Sequence, residues 1–391
     1  MNILLLGSGG REDALAWRLR QSPSCDKLLA GPGNPGIARW ADCVAVDPCD
    51  PQAVVELARG NDIDLVVVGP EAPLVAGLAD ELRQRGIAVF GPSGAAAQIE
   101  GSKAFAKGVM DAAGVPSART LAVARPPCVV KLDGLAAGKG VWVCHTQAEL
   151  DAALSEARDP FHIEELLEGP ELSVFAIAAG DEAVAFPPAR DYKRIGDGDT
   201  GPNTGGMGAV SPLPDVADDE SQEILETVHR PVLRELARRG TPFHGLLYAG
   251  LMRTDDGLRV IEFNCRFGDP ETQSLLPRLE SDVLPLLAGG LSEPAISPRA
   301  AVTVVLTGGD YPAQGDSGTP IEGVDDAAAT GALVFHAGTA LHDGRLVTNG
   351  GRILNVTATG DTVADARAAA YDAASRIHFA GVHYRKDIAG G

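Results

Sequence analysis

The first hundred residues alternate short apolar runs with helical patterns, and that alternation leaves few folds open. Apolar runs at 2–6, 27–30, 43–46, 64–68 and 87–90 each end in Gly or Asp, and helical patterns occupy 11–20, 51–59 and 74–85. Short strands alternating with helices predict a parallel α/β sheet with right-handed crossovers. Loops that follow the strands of such a sheet gather at one edge, where ligands bind. They are 7–10 (GSGG), 31–36 (GPGNPG) and 69–74 (GPEAPL). This unit is expected to end near residue 100.

Beyond residue 100 the pattern changes. A helix at 102–113 leads to strands at 128–131 and 141–144 around a glycine-rich loop, then a helix at 147–158. Hairpin-like strands follow at 162–167 and 171–179. A long Gly/Asp loop spans 191–208, and strands at 246–252 and 259–264 come next. From about 296 there are strands at 301–306, 332–338, 345–349 and 353–357, then an Ala-rich helix over 362–378. The expected class is α/β, with an N-terminal parallel-sheet domain (1–100), a central α+β unit (101–295) and a small C-terminal α+β domain (296–391). The central unit has two parts, one of them a flap-bearing subdomain over about 115–180. No internal repeat is evident.

Composition narrows the function classes. The net charge is −20, which argues against nucleic-acid or anionic-membrane partners. Yet residues 101–145 carry six Lys/Arg against two Asp, and five of seven lysines fall between Lys103 and Lys193. A basic island in an acidic chain points to a small polyanionic ligand. Six cysteines show no metal-ligand spacing and read as reduced thiols of a cytoplasmic protein. No apolar run approaches the roughly 18 residues that a membrane span needs.

Three motifs carry chemistry. In Gly7-Ser8-Gly9-Gly10-Arg11-Glu12, Glu12 stands where a dinucleotide fingerprint needs its third glycine. The second strand ends at Gly31-Pro32 without an acidic residue for a ribose hydroxyl, which argues against NAD. Amides at a helix start would still hold a phosphate monoester; the alternative is a tight turn without a ligand. The loop 132–140 (LDGLAAGKG) lacks Walker A spacing, since three residues separate Gly134 from Gly138 and Gly140 follows Lys139. It reads as a flap between antiparallel strands that closes over phosphates. Lys131 and Lys103 lie nearby in sequence, and several ammonium groups suit a triphosphate. In Glu262-Phe263-Asn264-Cys265-Arg266, strand periodicity puts Glu262, Asn264 and Arg266 on one face. A carboxylate plus an amide oxygen suits Mg²⁺, and Arg266 could stabilise a transferring phosphoryl group. The bland alternative is a polar edge-strand face.

These segments, in order with NPG, EGSKAFAK, IEELLEG, GDGDTGPNTGGMG, RFGDPET and YRKDI, resemble the phosphoribosylamine–glycine ligases, or glycinamide ribonucleotide synthetases, of the ATP-grasp superfamily. The resemblance spans 2–388 and implies a pre-ATP-grasp N-terminal domain, a two-part ATP-grasp centre and a small C-terminal domain. It implies that ATP, glycine and 5-phosphoribosylamine give ADP, phosphate and glycinamide ribonucleotide through glycyl phosphate, with Mg²⁺ or Mn²⁺. A cytoplasmic monomer or weak dimer is expected.

Carried over by motif, Lys103 and Lys131 would touch ATP phosphates, and Gly138, Lys139 and Gly140 would form the flap. Glu164, Glu165 and Leu167 belong to the adenine hinge, which uses main-chain groups, and Glu171 would take the ribose hydroxyls. Glu262 and Asn264 would be metal ligands. Gly9, Gly10, Asn34 and Glu71 would bind phosphoribosylamine, a side chain at Gly10 clashing with its phosphate. Asp191, Lys193, Arg266 and Asp269 would lie at the reacting centre. The chain departs from the family at Asp13, where histidine is usual, at Arg190 and Tyr192, and in a shortened segment before Ile163. Two other readings stay open: a related carboxylate–amine ligase of purine synthesis, and a nucleotide-binding regulator without turnover.

Overall fold

The computed structural model describes residues 1–135, 140–157, 160–217 and 219–390. Asn2–Gly7 is the central strand of a five-stranded parallel sheet, ordered Asp42–Cys43, Lys27–Pro32, Asn2–Gly7, Leu65–Val68, Ala88–Phe90. Ile3, Leu4, Leu5 and Leu6 are fully buried, as a strand covered on both faces requires. The chain order reverses at this strand, so the loops after Gly7 and Val68 flank the switch point. The helix expected over 74–85 is two helices, Glu71–Val75 and Leu78–Gln84. Gly77 breaks it at φ +91°, a conformation that glycine adopts without a Cβ penalty.

The largest sheet has eight strands, all antiparallel: Gly257–Asn264, Phe243–Thr254, Glu171–Gly180, Glu182–Asp191, Gly208–Ser211, Ala300–Thr307, Arg352–Gly360 and Leu333–His336. It crosses the boundary drawn near 296, because Gly208–Ser211 pairs with 301–304. Every residue of Ala300–Thr307 is buried.

A separate three-stranded sheet, Val141–Cys144, Cys128–Leu132 and Phe161–Glu165, packs with helix Gln147–Glu156 on a small core of Cys128, Val130, Cys144, Leu150 and Ala153. The hairpin expected between 162–167 and 171–179 does not form. Phe161–Glu165 pairs with Cys128–Leu132, and Glu171–Gly180 enters the large sheet. The link between them passes Gly169, where a Cβ would lie 1.9 Å from the Arg253 carbonyl oxygen. Strand Glu182–Asp191 is missing from the sequence reading. Its register slips between Phe186 and Ala189, across two prolines that cannot donate to the ladder.

No helix among the described residues is long and apolar enough to cross a membrane. All six cysteines are free thiols.

Candidate active site

The strand Gly257–Asn264 forms the floor of a cleft, and the flap sheet stands over it. Lys131, near the end of its strand, sends its ammonium down to the Ile261 carbonyl (3.1 Å) and lies 2.6 Å from Glu164. Lys103 opens the helix Lys103–Ala113 and donates to the Gly134 carbonyl at 3.0 Å. Asp133 ties the two pieces together, accepting from Ser102 Oγ and the Lys103 amide. Lys193 reaches Glu171 at 2.5 Å and Glu262 at 3.9 Å. Glu262 lies opposite Gly250, whose bare Cα gives its side chain room.

Glu262 stands at the cleft with its side chain 43% exposed. Burial would raise its carboxyl; Lys193, Lys131, Arg266 and Lys103 outweigh burial and hold it below the usual carboxylate range. Cations spread over more than 160 positions of sequence, from Lys103 to Arg266, thus converge on one carboxylate. Lys193 is itself held well above the usual lysine range: burial opposes its charge, but Glu171 and Glu262 prevail. Burial lowers Lys103.

Arg266 lies between Glu71 (Nε, 3.2 Å) and Glu100 (Nη2, 3.2 Å), and the same Nη2 is 3.4 Å from Asn264 Oδ1. It is an engaged cation that joins the N-terminal unit to the Glu262–Asn264 strand, and not a free one aimed into the cleft. Glu71 is drawn down by Arg266 and Arg11 against its burial.

Asp191, at the end of its strand, has a buried Oδ1 without a hydrogen-bond partner among the described residues. Burial, then Glu271, push its carboxyl up. Asp269 is the opposite case. Burial acts on it too, but Arg352 (3.0 Å), Arg11 and the Gln273 amide (2.7 Å) keep it ionised.

In the N-terminal loops, a Cβ on Gly9 would point at Glu12 Oε2 (2.8 Å) and Asp269 Oδ2 (3.3 Å). Gly9 therefore packs against Glu12 and lies beside Asp269. Gly10 is held from another side: a Cβ there would strike Asn355 Nδ2 at 2.2 Å and Gln273 Nε2 at 2.7 Å. Its missing side chain serves packing against those residues, which corrects the expected clash with a ligand phosphate. Asn34 needs a similar correction. Its Nδ2 donates to the Ser8 and His336 carbonyls, and its Oδ1 accepts from Gly36 and Ile37, so the side chain is spent on shaping its own loop.

Glu165 is taken up by Arg119 at the surface (2.6 Å), and Glu164 by Lys131. Their strand pairing leaves the main chain around Leu167, beyond the strand, without backbone partners among the described residues. Gly140 is buried and ends the described part of the flap loop; Gly138 and Lys139 lie outside the described residues. A cavity of about 1120 Å³ between the flap unit and the C-terminal strands, lined by Trp142, Asn203, Tyr311 and His383 among others, contains none of the candidate residues.

The sequence reading did not single out Asp133, Glu100, Arg352 or Tyr311. Asp133 could have been found within LDGL, as a carboxylate beside three lysines. Glu100 opens the EGSKAFAK segment, and Arg352 carries no local signal.

A parallel N-terminal sheet, a cleft between an antiparallel sheet and a small flap sheet, and lysines over a carboxylate–amide pair define an ATP-grasp ligase. Family models agree: those of phosphoribosylglycinamide synthetase match as N domain over 1–100, ATP-grasp (A) domain over 101–272 and C domain over 301–391. The chain belongs to the phosphoribosylglycinamide synthetase family. It is an ATP-dependent carbon–nitrogen ligase of purine biosynthesis, and its reaction is the synthesis of glycinamide ribonucleotide.

Phosphoribosylamine–glycine ligases of Mesorhizobium japonicum and Streptomyces coelicolor are 48% and 49% identical to it, covering 99% and 100% of this chain and 97% and 99% of their own. The crystal structure of phosphoribosylamine–glycine ligase from Thermotoga maritima superposes with a TM-score of 0.85 at 33% identity, over 99% of this chain and 100% of that one. The biotin carboxylase domain of Hydrogenobacter thermophilus 2-oxoglutarate carboxylase, solved with MgADP and bicarbonate, shares the fold at a TM-score of 0.72 and 16% identity, over 97% of this chain and 91% of that one.

Proposed function

We propose that ATP lies between the flap sheet and the Gly257–Asn264 strand, and that phosphoribosylamine enters from the N-terminal loops. The observation that carries this reading is the cluster of Lys103, Lys131, Lys193 and Arg266 around Glu262. Lys103 and Lys131 take the phosphates, together with Lys139 and the amides of Gly138 and Gly140. Main chain at Glu164, Glu165 and Leu167 receives the adenine, and Glu171 the ribose hydroxyls. Glu262 and Asn264 offer hard oxygens, one ionised and open to the cleft, the other only loosely contacted by Arg266. That donor set fits Mg²⁺ or Mn²⁺, with phosphate oxygens completing the shell. When bound, such an ion draws charge from the phosphates.

A glycine carboxylate oxygen attacks the γ-phosphorus, the bond to the β-phosphate oxygen breaks, and ADP leaves. The phosphoribosylamine nitrogen then attacks the carbonyl of glycyl phosphate. The C–O bond to phosphate breaks, and the nitrogen sheds its proton as the amide forms. The protein contributes position and neutralisation. Lys193 bridges Glu171 and Glu262 and meets charge developing on the γ-phosphate. Asp191 borders glycine. Asp269, held ionised, is a weak base and a strong acceptor, suited to hydrogen bonds from the amine or a ribose hydroxyl. Gly9, Glu71 and the main chain at Gly10 shape the pocket for phosphoribosylamine, Asn34 through its loop. The protein acts in the cytoplasm, as a monomer or weak dimer.

Coupled ADP release with glycine and freshly made phosphoribosylamine tests the assignment. ADP release that needs both substrates is expected. Release with a different carboxylate–amine pair only, or ATP binding without release, would overturn it.

A further inference from the structure

The C-terminal unit contributes no residue to the reaction as described above, yet two of its side chains reach the loops that do. Arg352, at the start of Arg352–Gly360, donates Nη1 to the Gly205 and Asp269 carbonyls, the latter at 2.6 Å, and pairs Nη2 with Asp269 Oδ2 at 3.0 Å. Tyr311 accepts from the Gly205 amide at 2.9 Å. Gly351 makes this possible: a Cβ there would lie 2.4 Å from the Tyr311 ring. Gly205 likewise has no side chain to hold Arg352 off, since its Cβ would stand 3.2 Å from the guanidinium carbon. One planar guanidinium therefore bridges two loops far apart in sequence, around Gly205 and Asp269. A planar fork can do this and a single ammonium cannot. The side chain is 20% exposed, so the bridge stands at the cleft edge rather than inside the core.

We infer that Arg352 is a positioning residue for the ligation step: with Tyr311, it holds the Gly205 and Asp269 loops where phosphoribosylamine and glycine meet. This deepens the reading given under Proposed function and rests on it.

The test uses full-length Arg352→Ala, Arg352→Lys and Tyr311→Phe, with steady-state kinetics and hydrogen exchange of the ligand-free protein. For Arg352→Ala the expected result is a fall of about 100-fold in kcat/KM for phosphoribosylamine, with KM for ATP within about twofold. Arg352→Lys should stay at least about tenfold impaired, and Tyr311→Phe, which removes one acceptor, should be the mildest. Added guanidinium at millimolar level should restore part of the Arg352→Ala activity by refilling the bridge between the Gly205 and Asp269 carbonyls. Exchange should rise in peptides around 203–206 and 268–272 in Arg352→Ala, a readout independent of which reaction is catalysed. Unchanged exchange there, full activity of Arg352→Lys, or equal loss of ATP and phosphoribosylamine affinity would overturn the inference. If wild type released no ADP with these substrates, the functional reading would fail, while the exchange result would still judge the bridge.

Discussion

Glu262 and Asp13 are both carboxylates, one open to the cleft and one enclosed, and their surroundings push them in opposite directions. Four cations surround Glu262, so it stays ionised. Glu262→Ala should leave the melting temperature within about 2 °C, because the side chain is partly open to the cleft. The same change should lower kcat by about 10²–10³-fold, the scale of one lost charge-stabilising contact. Turnover within threefold of wild type would remove Glu262 from the site. Asp13 is fully enclosed and accepts from Arg39, the Trp40 indole (3.0 Å) and the His336 amide (2.7 Å). Burial still prevails over these partners, Arg39 foremost, and raises its carboxyl to about 6. The folded state thus holds this proton more tightly than the unfolded chain does. The stabilisation this provides is complete below about pH 4 and is lost as pH rises through about 6. That rise of the carboxyl corresponds to about 3 kcal/mol. His336 does not titrate alongside, since burial keeps it neutral with its pKa down to about 3. Asp13→Asn should therefore gain about 3 kcal/mol relative to wild type between pH 4 and pH 7, read from urea midpoints. A constant difference across that range would refute the burial argument. The residue standing in for the family's histidine is thus a pin between the first helix, the 34–40 loop and the C-terminal unit.

At the scale of elements, the joint between helix Lys103–Ala113 and the flap hairpin governs how the phosphate lysines meet. Asp133 accepts from Ser102 Oγ (3.3 Å), the Lys103 amide (2.5 Å) and the Gly134 amide (3.1 Å). It is both a helix-end anion and the root of the flap. Asp133→Ala should raise KM for ATP about tenfold while leaving KM for phosphoribosylamine within about twofold. Equal changes in both would show that the joint does not set the nucleotide site. An ATP analogue should slow hydrogen exchange in peptides covering Cys128–Leu132 and Val141–Cys144, because closing the flap adds contacts to a small sheet with a five-residue core. Equal exchange with and without nucleotide counts against the flap.

Across the whole molecule, the three sequence units are not three independent bodies. The eight-stranded sheet joins the central and C-terminal units through Gly208–Ser211 and Ala300–Thr307. The N-terminal unit is locked on by Trp17 against Phe335 and Phe90 against Phe267, both with centroids 5.9 Å apart, and by Arg18 on the Leu279 carbonyl. A fragment of residues 1–295 loses the partner of Gly208–Ser211 and uncovers a sheet edge. It should show no cooperative melting transition. A 1–295 fragment that melts cooperatively near the wild-type temperature would show that the first two units fold without the C-terminal domain.

What the sequence determined on its own was local. Apolar runs punctuated by Gly marked the parallel strands, glycine spacing ruled out a Walker loop, and the alternation of Glu262 and Asn264 set one strand face, which ends before Arg266. Period-two and period-3.6 patterns report burial of each element separately, so they are legible without partners. Which strands pair is another matter. Phe161–Glu165 and Glu171–Gly180 looked like a hairpin, yet they belong to different sheets, because Gly169 lets the chain turn past Arg253. The charge state of Glu262, the engagement of Arg266 and Asn34, the packing role of Gly10 and the bridge of Arg352 were likewise decided only in three dimensions. Each depends on groups distant in sequence, and electrostatic and steric energies follow spatial distance alone.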